Sequence, residues 1–388
     1  MSHSPPLGQA YIISARRSAL GRPGGLHRAR RLEALTTPVV DAALADAKLA
    51  PAEVDEIYFG NTTAGGNPAR LIALASGLPE RTAALTVDRQ CASGLDAIML
   101  AVRAVALGDA NVAVAGGGES VSTAPWRIAK PKTLFQTPRF IGPEGGAELD
   151  GGFTFPSLAA SEHLAASLGL SRLDLDMAAL RAHLRADKAR DERRFLHEIV
   201  PLKVAADETR DEGTGVPEMD ELSELDALLP DGLHTSGNSS SVRDGAAIVV
   251  VASPEIYARL GKPPALCVIA SGTQGVSPGD EARAPILALE KTMKPNGSAK
   301  PQPQIVEMSE ASAAQLLALS RAFDIAEDAL NPHGGAIARG YPLGAASAVS
   351  VVRLFSSMVR DKDAKAQFGA VTQGAAGGLG VATLFERV

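Results

Sequence analysis

Cysteine is nearly missing from the 388 residues: there are two, Cys91 and Cys267. They share no CxxC spacing, which excludes a disulfide framework and a cysteine-based zinc site. Aromatic residues make up only 4% of the chain, too few for the stacking platforms of a nucleic-acid reader. A net charge of −6 argues against a surface that tracks phosphates. No stretch has the ~18 consecutive apolar residues of a membrane span. The opening Met1-Ser2-His3-Ser4-Pro5-Pro6 lacks the basic and apolar regions of a secretory signal. GxxxxGK[ST], HExxH and a GxGxxG after a strand are all absent. These absences predict a cytoplasmic protein with no nucleic-acid partner, no membrane span, no metal and no resident cofactor.

What is present is an ordinary globular composition, 45% apolar and 21% charged, in a chain long enough for two or three subdomains. Strands are predicted at residues 10–14, 56–60 and 112–118. Helices are predicted at 37–48, with Thr37 as N-cap and Pro38 at the first helical position, and from Cys91 to about Leu107. This βαβα order predicts a mostly parallel sheet with helices on both faces. Residues 119–243 are rich in Pro, Gly and charge. They read as an insertion, with an amphipathic helix at 174–195 presenting a solvated face. Beyond it the pattern returns, with strands at 246–251, 265–270 and 368–372 and helices at 311–322 and 345–359. A small-residue loop, a helix, a strand and a glycine turn follow Cys91, and the same series follows Tyr341. That repetition suggests an internal duplication that brings the two loops together across a pseudo-twofold axis.

Cys91 is the candidate nucleophile. A thiol at a helix N-terminus meets the positive end of the helix dipole, which favours thiolate, and its small neighbours leave room for a carbonyl. Cys267, inside Leu266-Cys267-Val268-Ile269, reads as core. The single GxSxG, Gly275-Val276-Ser277-Pro278-Gly279, does not suit a hydrolase elbow. The oxyanion hole there uses the backbone N–H after the serine, and Pro278 has none.

Several segments together resemble the thiolase family, which makes or splits 3-oxoacyl thioesters of coenzyme A. Gln90-Cys91-Ala92-Ser93-Gly94 resembles its nucleophile loop. Gly116-Gly117-Gly118-Glu119-Ser120 is similar to its Gly-Gly-x-Glu-Ser signature. Thr235-Ser236-Gly237-Asn238-Ser239-Ser240 resembles its coenzyme-A loop, and Gly334-Gly335 through Gly340-Tyr341-Pro342-Leu343-Gly344 resembles a long C-terminal block. The likeness spans nearly the whole chain. It implies an α/β thiolase fold of two pseudo-symmetric βαβαβαββ halves in αβαβα layers. Residues 1–118 with 244–262 would form the first half and 263–388 the second. Residues 119–243 would form a loop domain over the active site. It also implies an acyl-CoA C-acyltransferase that forms an acyl-cysteine on Cys91, with acyl-CoA and coenzyme A as substrates. Backbone N–H groups of Cys91 and Ala376 would form the oxyanion hole. Ser236, Ser240, Ala311 and Ser312 would contact substrate, and the chain would assemble as a homodimer or homotetramer.

Three departures change the chemistry that the resemblance implies. Tyr341 stands where the family has the histidine of Gly-His-Pro. Ser309-Glu310-Ala311-Ser312 replaces Asn-Glu-Ala-Phe, which predicts a wider acyl pocket at Ser312. Gly374 replaces the second cysteine. Tyrosine has an ordinary pKa of about 10 and donates rather than accepts a proton near neutrality. Each lost acid–base group typically costs about 10²–10⁴-fold. His333, on the same glycine-rich loop, is the candidate replacement. Two other outcomes stay open: a degenerate acyl-CoA-binding protein or subunit, and acyl transfer to an acceptor other than coenzyme A.

Overall fold

The computed structural model describes residues 9–131, 133–141, 157–202, 209–213 and 215–388; His3 lies outside them. The first half contains β1 (Tyr11–Arg17), α1 (Leu32–Ala47), β2 (Glu56–Gly60), α2 (Pro68–Ala75), β3 (Ala83–Val87), α3 (Ser93–Leu107) and β4 (Val112–Glu119). Then come a hairpin, β5 (Arg127–Ala129) and β6 (Arg139–Ile141), and three helices, α4 (Ser157–Ser167), α5 (Arg172–Asp191) and α6 (Met219–Glu224). β7 (Gly245–Ala252) returns to the main sheet, and α7 (Pro254–Arg259) leads out of it. The second half holds β8 (Leu266–Gly275), α8 (Ala284–Met293), β9 (Ile305–Met308), α9 (Ala313–Phe323), α10 (Ala336–Arg339), α11 (Ala346–Phe355), β10 (Phe368–Ala375) and β11 (Leu379–Arg387).

The duplication is written in the strand order. One nine-stranded sheet runs β3-β2-β4-β7-β1-β8-β11-β10-β9. Read outward from the centre, each half has its first strand, its last, its penultimate and its second. β2 and β4 pair in parallel, as do β9 and β10, while β4–β7, β7–β1, β8–β11 and β10–β11 are antiparallel, so the sheet is mixed rather than mostly parallel as the βαβα order predicted. The first half adds β3 beside β2. In the second half a single parallel bridge, Val306↔Leu330, marks the same place. The halves join through a short antiparallel contact of β1 with β8, Tyr11↔Cys267 and Ile12↔Leu266.

β4 and β7 are buried along their whole length, as expected of strands covered on both faces, and so they read as continuous apolar and glycine runs. α3 and α11 occupy equivalent positions and pack on each other in the middle of the molecule. Leu95, Ile98, Val349 and Val352 belong to the same core, each of the first two worth about 1.5–3 kcal/mol when fully buried. A Cβ on Gly94 would lie 2.9 Å from both Ala348 Cβ and Gly344 O, so this crossing needs glycine. The stretches Gln90–Leu107 and Leu343–Arg360 are long and apolar enough to cross a membrane. Both are these central helices, apolar because they are enclosed by protein.

Some sequence expectations shift. α1 begins at Leu32, so Pro38 lies inside the helix rather than at its start. Pro38 gives up one backbone bond, toward the Ala34 carbonyl, while buried Leu32, Leu35, Val39 and Val40 hold the helix on the sheet. The hydroxyl of Ser171 caps α5 by accepting the Asp174 N–H. That helix is not simply a solvated face: its stripe of Ala178, Ala179, Ala182, Ala186 and Ala189 is buried, and it packs on α9 and α10. β10 runs on to Ala375 and pairs with β11 through Gly374↔Gly380, a strand pair hidden in the sequence by its glycines.

Candidate active site

Cys91 sits one residue before Ala92, the N-cap of α3, and is half-buried. The turn before it holds Gln90 at a φ of 50°. Ser93 ties the turn down: its hydroxyl accepts the Arg89 N–H at 2.7 Å and donates to the Gln90 carbonyl at 2.5 Å. The other half braces the loop. Ser347 of α11 accepts the Leu95 N–H at 2.9 Å and donates to the Cys91 carbonyl at 3.3 Å.

Tyr341 precedes α11 as Cys91 precedes α3. Its backbone N–H donates to Ser241 O at 2.8 Å, and its carbonyl accepts from Arg243 N–H at 3.0 Å. These bonds fix it to the strand entering β7. The ring is buried, and the hydroxyl accepts a bond of 2.7 Å from Gln373 Nε2. It is also hydrogen-bonded to the Cys91 side chain. Burial, the charge on Cys91 and that hydrogen bond hold its pKa well above 10. The relay therefore runs from the Gln373 amide to the Tyr341 hydroxyl to sulfur, with Tyr341 as donor.

Cys91, Tyr341, Gln373, Gly374, Ala311 and Ala376 line one narrow cavity of about 40 Å³, and the carboxylate of Glu281 reaches its wall. A Cβ built on Gly374 would come to 3.3 Å from Pro285 and 3.6 Å from Gln315. A side chain there is nearly accommodated, and its absence is not forced by packing. Gln373 and Glu281 carry no motif. They reach the cavity from β10 and from the 3-10 turn Pro278–Arg283, so nothing in the spacing around Cys91 points to them.

The other candidates separate. His333 is not at this cavity. Its Nδ1 lies 3.4 Å from the Ser357 hydroxyl at the far end of α11. It lines a different cavity with Arg353, Ser356 and Arg360. The ten residues of α11 put about 15 Å of helix between that end and Tyr341. Burial and the guanidinium groups of Arg353 and Arg194 push the imidazole down to about 3, so it is neutral and weakly basic. The Ser309 hydroxyl is used within the protein, donating to Ala346 O at 2.9 Å and meeting Ser350 at 2.8 Å. Ser312 does not line the Cys91 cavity. Its hydroxyl meets Ser161 of α4 at 3.1 Å, and the small cavity is not the widened pocket its size suggested. Ser240 donates from its N–H to Ala311 O at 2.9 Å. Ser236 lines a separate, wider space of about 710 Å³ with Arg22, Arg190 and Arg210. His234 is buried against Glu162, Nδ1 to Oε1 3.1 Å.

Glu119 is structural but close. It accepts the Thr62 N–H at 2.6 Å and the Thr62 hydroxyl at 3.0 Å, and it also bonds Thr63. Burial raises its pKa to about 7, against these bonds and one from the Gly344 backbone. It thereby links the loop after β2 to the turn after Tyr341.

Comparison with known proteins agrees with this architecture. Two family models match, the thiolase N-terminal domain over residues 10–255 and the thiolase C-terminal domain over residues 263–387. A beta-ketoadipyl-CoA thiolase of Acinetobacter baylyi is 33% identical over 404 residues, covering 98% of this chain and 99% of its own. One from Pseudomonas putida is 34% identical over 409 residues, covering 97% and 99%. The crystal structure of the Bacillus anthracis acetyl-CoA acetyltransferase superposes with a TM-score of 0.89 at 28% identity, covering 99% of this chain and all of that one. The chain belongs to the thiolase family, and it is an acyltransferase of that class.

Proposed function

We propose that the protein is a thiolase-type acyl-CoA C-acyltransferase that carries its acyl group on Cys91. The observation behind this reading is the shared cavity, where a half-buried cysteine meets a tyrosine hydroxyl braced by Gln373. In the first half-reaction the Cys91 sulfur attacks the thioester carbonyl, and the oxygen takes up negative charge. Backbone N–H groups of Cys91 and Ala376 are the donors we assign to it. The carbon–sulfur bond to coenzyme A then breaks, and the thiol proton of Cys91 ends on the departing sulfur. Tyr341 is the hydroxyl suited to relay it without remaining ionised. Arg22, Arg190 and Arg210 beside Ser236 suit the phosphates of coenzyme A.

The test is intact-protein mass spectrometry after incubation with acetyl-CoA and longer acyl-CoAs. An acyl adduct is expected on the native protein and none on Cys91→Ala. An unmodified native mass with every donor would overturn the reading. Breakdown of 3-oxoacyl-CoA by free coenzyme A separates an enzyme from an acyl-CoA-binding protein, because a binder retains ligand without turnover. Adduct formation without that breakdown would favour an acceptor other than coenzyme A.

We further infer a homodimer built on the β3 edge. Leu85 on β3 and Leu71 and Leu74 on α2 are exposed large apolar side chains. An uncovered apolar sheet edge is a ready pairing surface.

A further inference from the structure

Carbon–carbon bond formation requires a base for the proton alpha to the acceptor thioester, and neither Tyr341 nor Gly374 offers one. We propose that Glu281 is that base; the proposal rests on the acyltransferase reading above. Glu281 is 5% exposed and sits in the 3-10 turn between β8 and α8. One carboxylate oxygen, Oε2, accepts the Gly377 N–H at 3.1 Å, which anchors it to the turn joining β10 and β11. The other, Oε1, is buried with no hydrogen-bond partner among the described residues. A buried unpartnered carboxylate oxygen is costly to keep, and this one belongs to a side chain lining the cavity of Cys91.

The lining of that cavity leaves little choice. Besides Glu281 it offers alanines, Gly374, the amides of Gln315 and Gln373, Tyr341 and Cys91. Amides are not bases, and Tyr341 is held protonated. Cys91 is occupied once acylated. Glu281 is the remaining side chain there that can take a proton.

The step balances without another reactant. Oε1 takes the alpha proton, and the resulting carbanion attacks the carbonyl carbon of acyl-Cys91. The bond from that carbon to Sγ breaks, and the 3-oxoacyl thioester is released. Cys91 departs as thiolate, facing the Tyr341 hydroxyl, and Glu281 returns the proton to it.

The experiment follows two signals in the whole protein: the Cys91 adduct by mass spectrometry, and exchange of the alpha hydrogens of acetyl-CoA in D₂O. Glu281→Gln keeps an acceptor for the Gly377 N–H but cannot take the alpha proton. The adduct should persist while exchange falls about 10²–10⁴-fold. Glu281→Asp, which keeps a carboxylate on a shorter arm, should recover part of it. Undiminished exchange in Glu281→Gln, or no exchange in the native protein, would overturn the role of Glu281 and leave the acyl-cysteine reading standing if the adduct forms. Loss of adduct and exchange together in Glu281→Gln, with native-like unfolding, would also overturn it, since the residue would then serve the site's shape. Absence of any adduct on the native protein would instead defeat the acyltransferase reading.

Discussion

Tyr341, where the family resemblance implied an imidazole, changes what the site can do with a proton. Tyr341 can steady charge on sulfur but cannot take a proton near neutrality. Tyr341→Phe removes the bond to Cys91 and leaves Gln373 Nε2 without that acceptor. Hydrogen bonds to charged groups are worth about 1.5–3 kcal/mol, so acylation should slow by about 10- to 150-fold, measured as the rate of adduct growth. Gly374→Cys is the converse test, because a Cβ fits there with little movement. Combined with Glu281→Gln, the new thiol is expected to restore part of the alpha-hydrogen exchange. At this scale the placement of Cys91 ahead of α3 was legible, because its loop is one contiguous motif. Gln373 and Glu281 were not, because only folding brings their segments to Cys91. His333 misled for the matching reason: eight positions before Tyr341 in sequence, it ends at the other end of α11.

At the scale of elements, the two central helices set the site. Ser347 joins them, answering the Leu95 N–H from the opposite half. Ser347→Ala leaves that buried donor unpaired, at about 1–3 kcal/mol. A lower midpoint in thermal unfolding, with slower acylation from a loosened loop, is expected. The alternation of loop, helix and strand made this pairing readable in advance, since a duplicated series places like elements in like positions. Element ends were less readable. Pro38 looked like a first-turn residue and proved internal, because the apolar face of α1 extends back to Leu32. The glycines after Val371 all read as turn, but Gly374 and Gly380 are paired strand, and only Gly377 and Gly378 lie in the turn between them.

Across the whole molecule, the segment between β4 and β7 is fastened to both halves by a buried ionic cluster. Glu198 bonds Arg17 of β1 at 2.8 Å and also pairs with Arg353 of α11, while Asp211 takes the far side of Arg17 at 2.6 Å. Burial alone would raise the Glu198 pKa; the charges of Arg353 and Arg17 prevail and lower it to about 2. A depressed folded-state pKa stabilises above the unfolded value, and the contribution is lost as pH falls toward 2. Native stability in denaturant melts should therefore drop between about pH 4.5 and 2. Glu198→Gln should flatten that drop and cost about 3–5 kcal/mol at pH 7, because it strands buried guanidinium groups. For the dimer proposed on the edge strand, sedimentation velocity should show a native dimer that Leu85→Lys turns to monomer; an unchanged dimer, or a native monomer, would overturn that interface.

The two halves touch within the sheet through only two residue pairs of β1 and β8, yet the reacting groups lie across their seam. Cys91 comes from one copy of the duplicated unit, and Tyr341, Gln373 and Glu281 come from the other. The cavity is thus a subunit interface held inside one polypeptide, with a tether through α7 setting how often its walls meet. A short covalent link of this kind supplies an effective concentration in the millimolar range, far above what separate chains reach in dilute solution. Neither copy need bind the other tightly for the site to stay assembled.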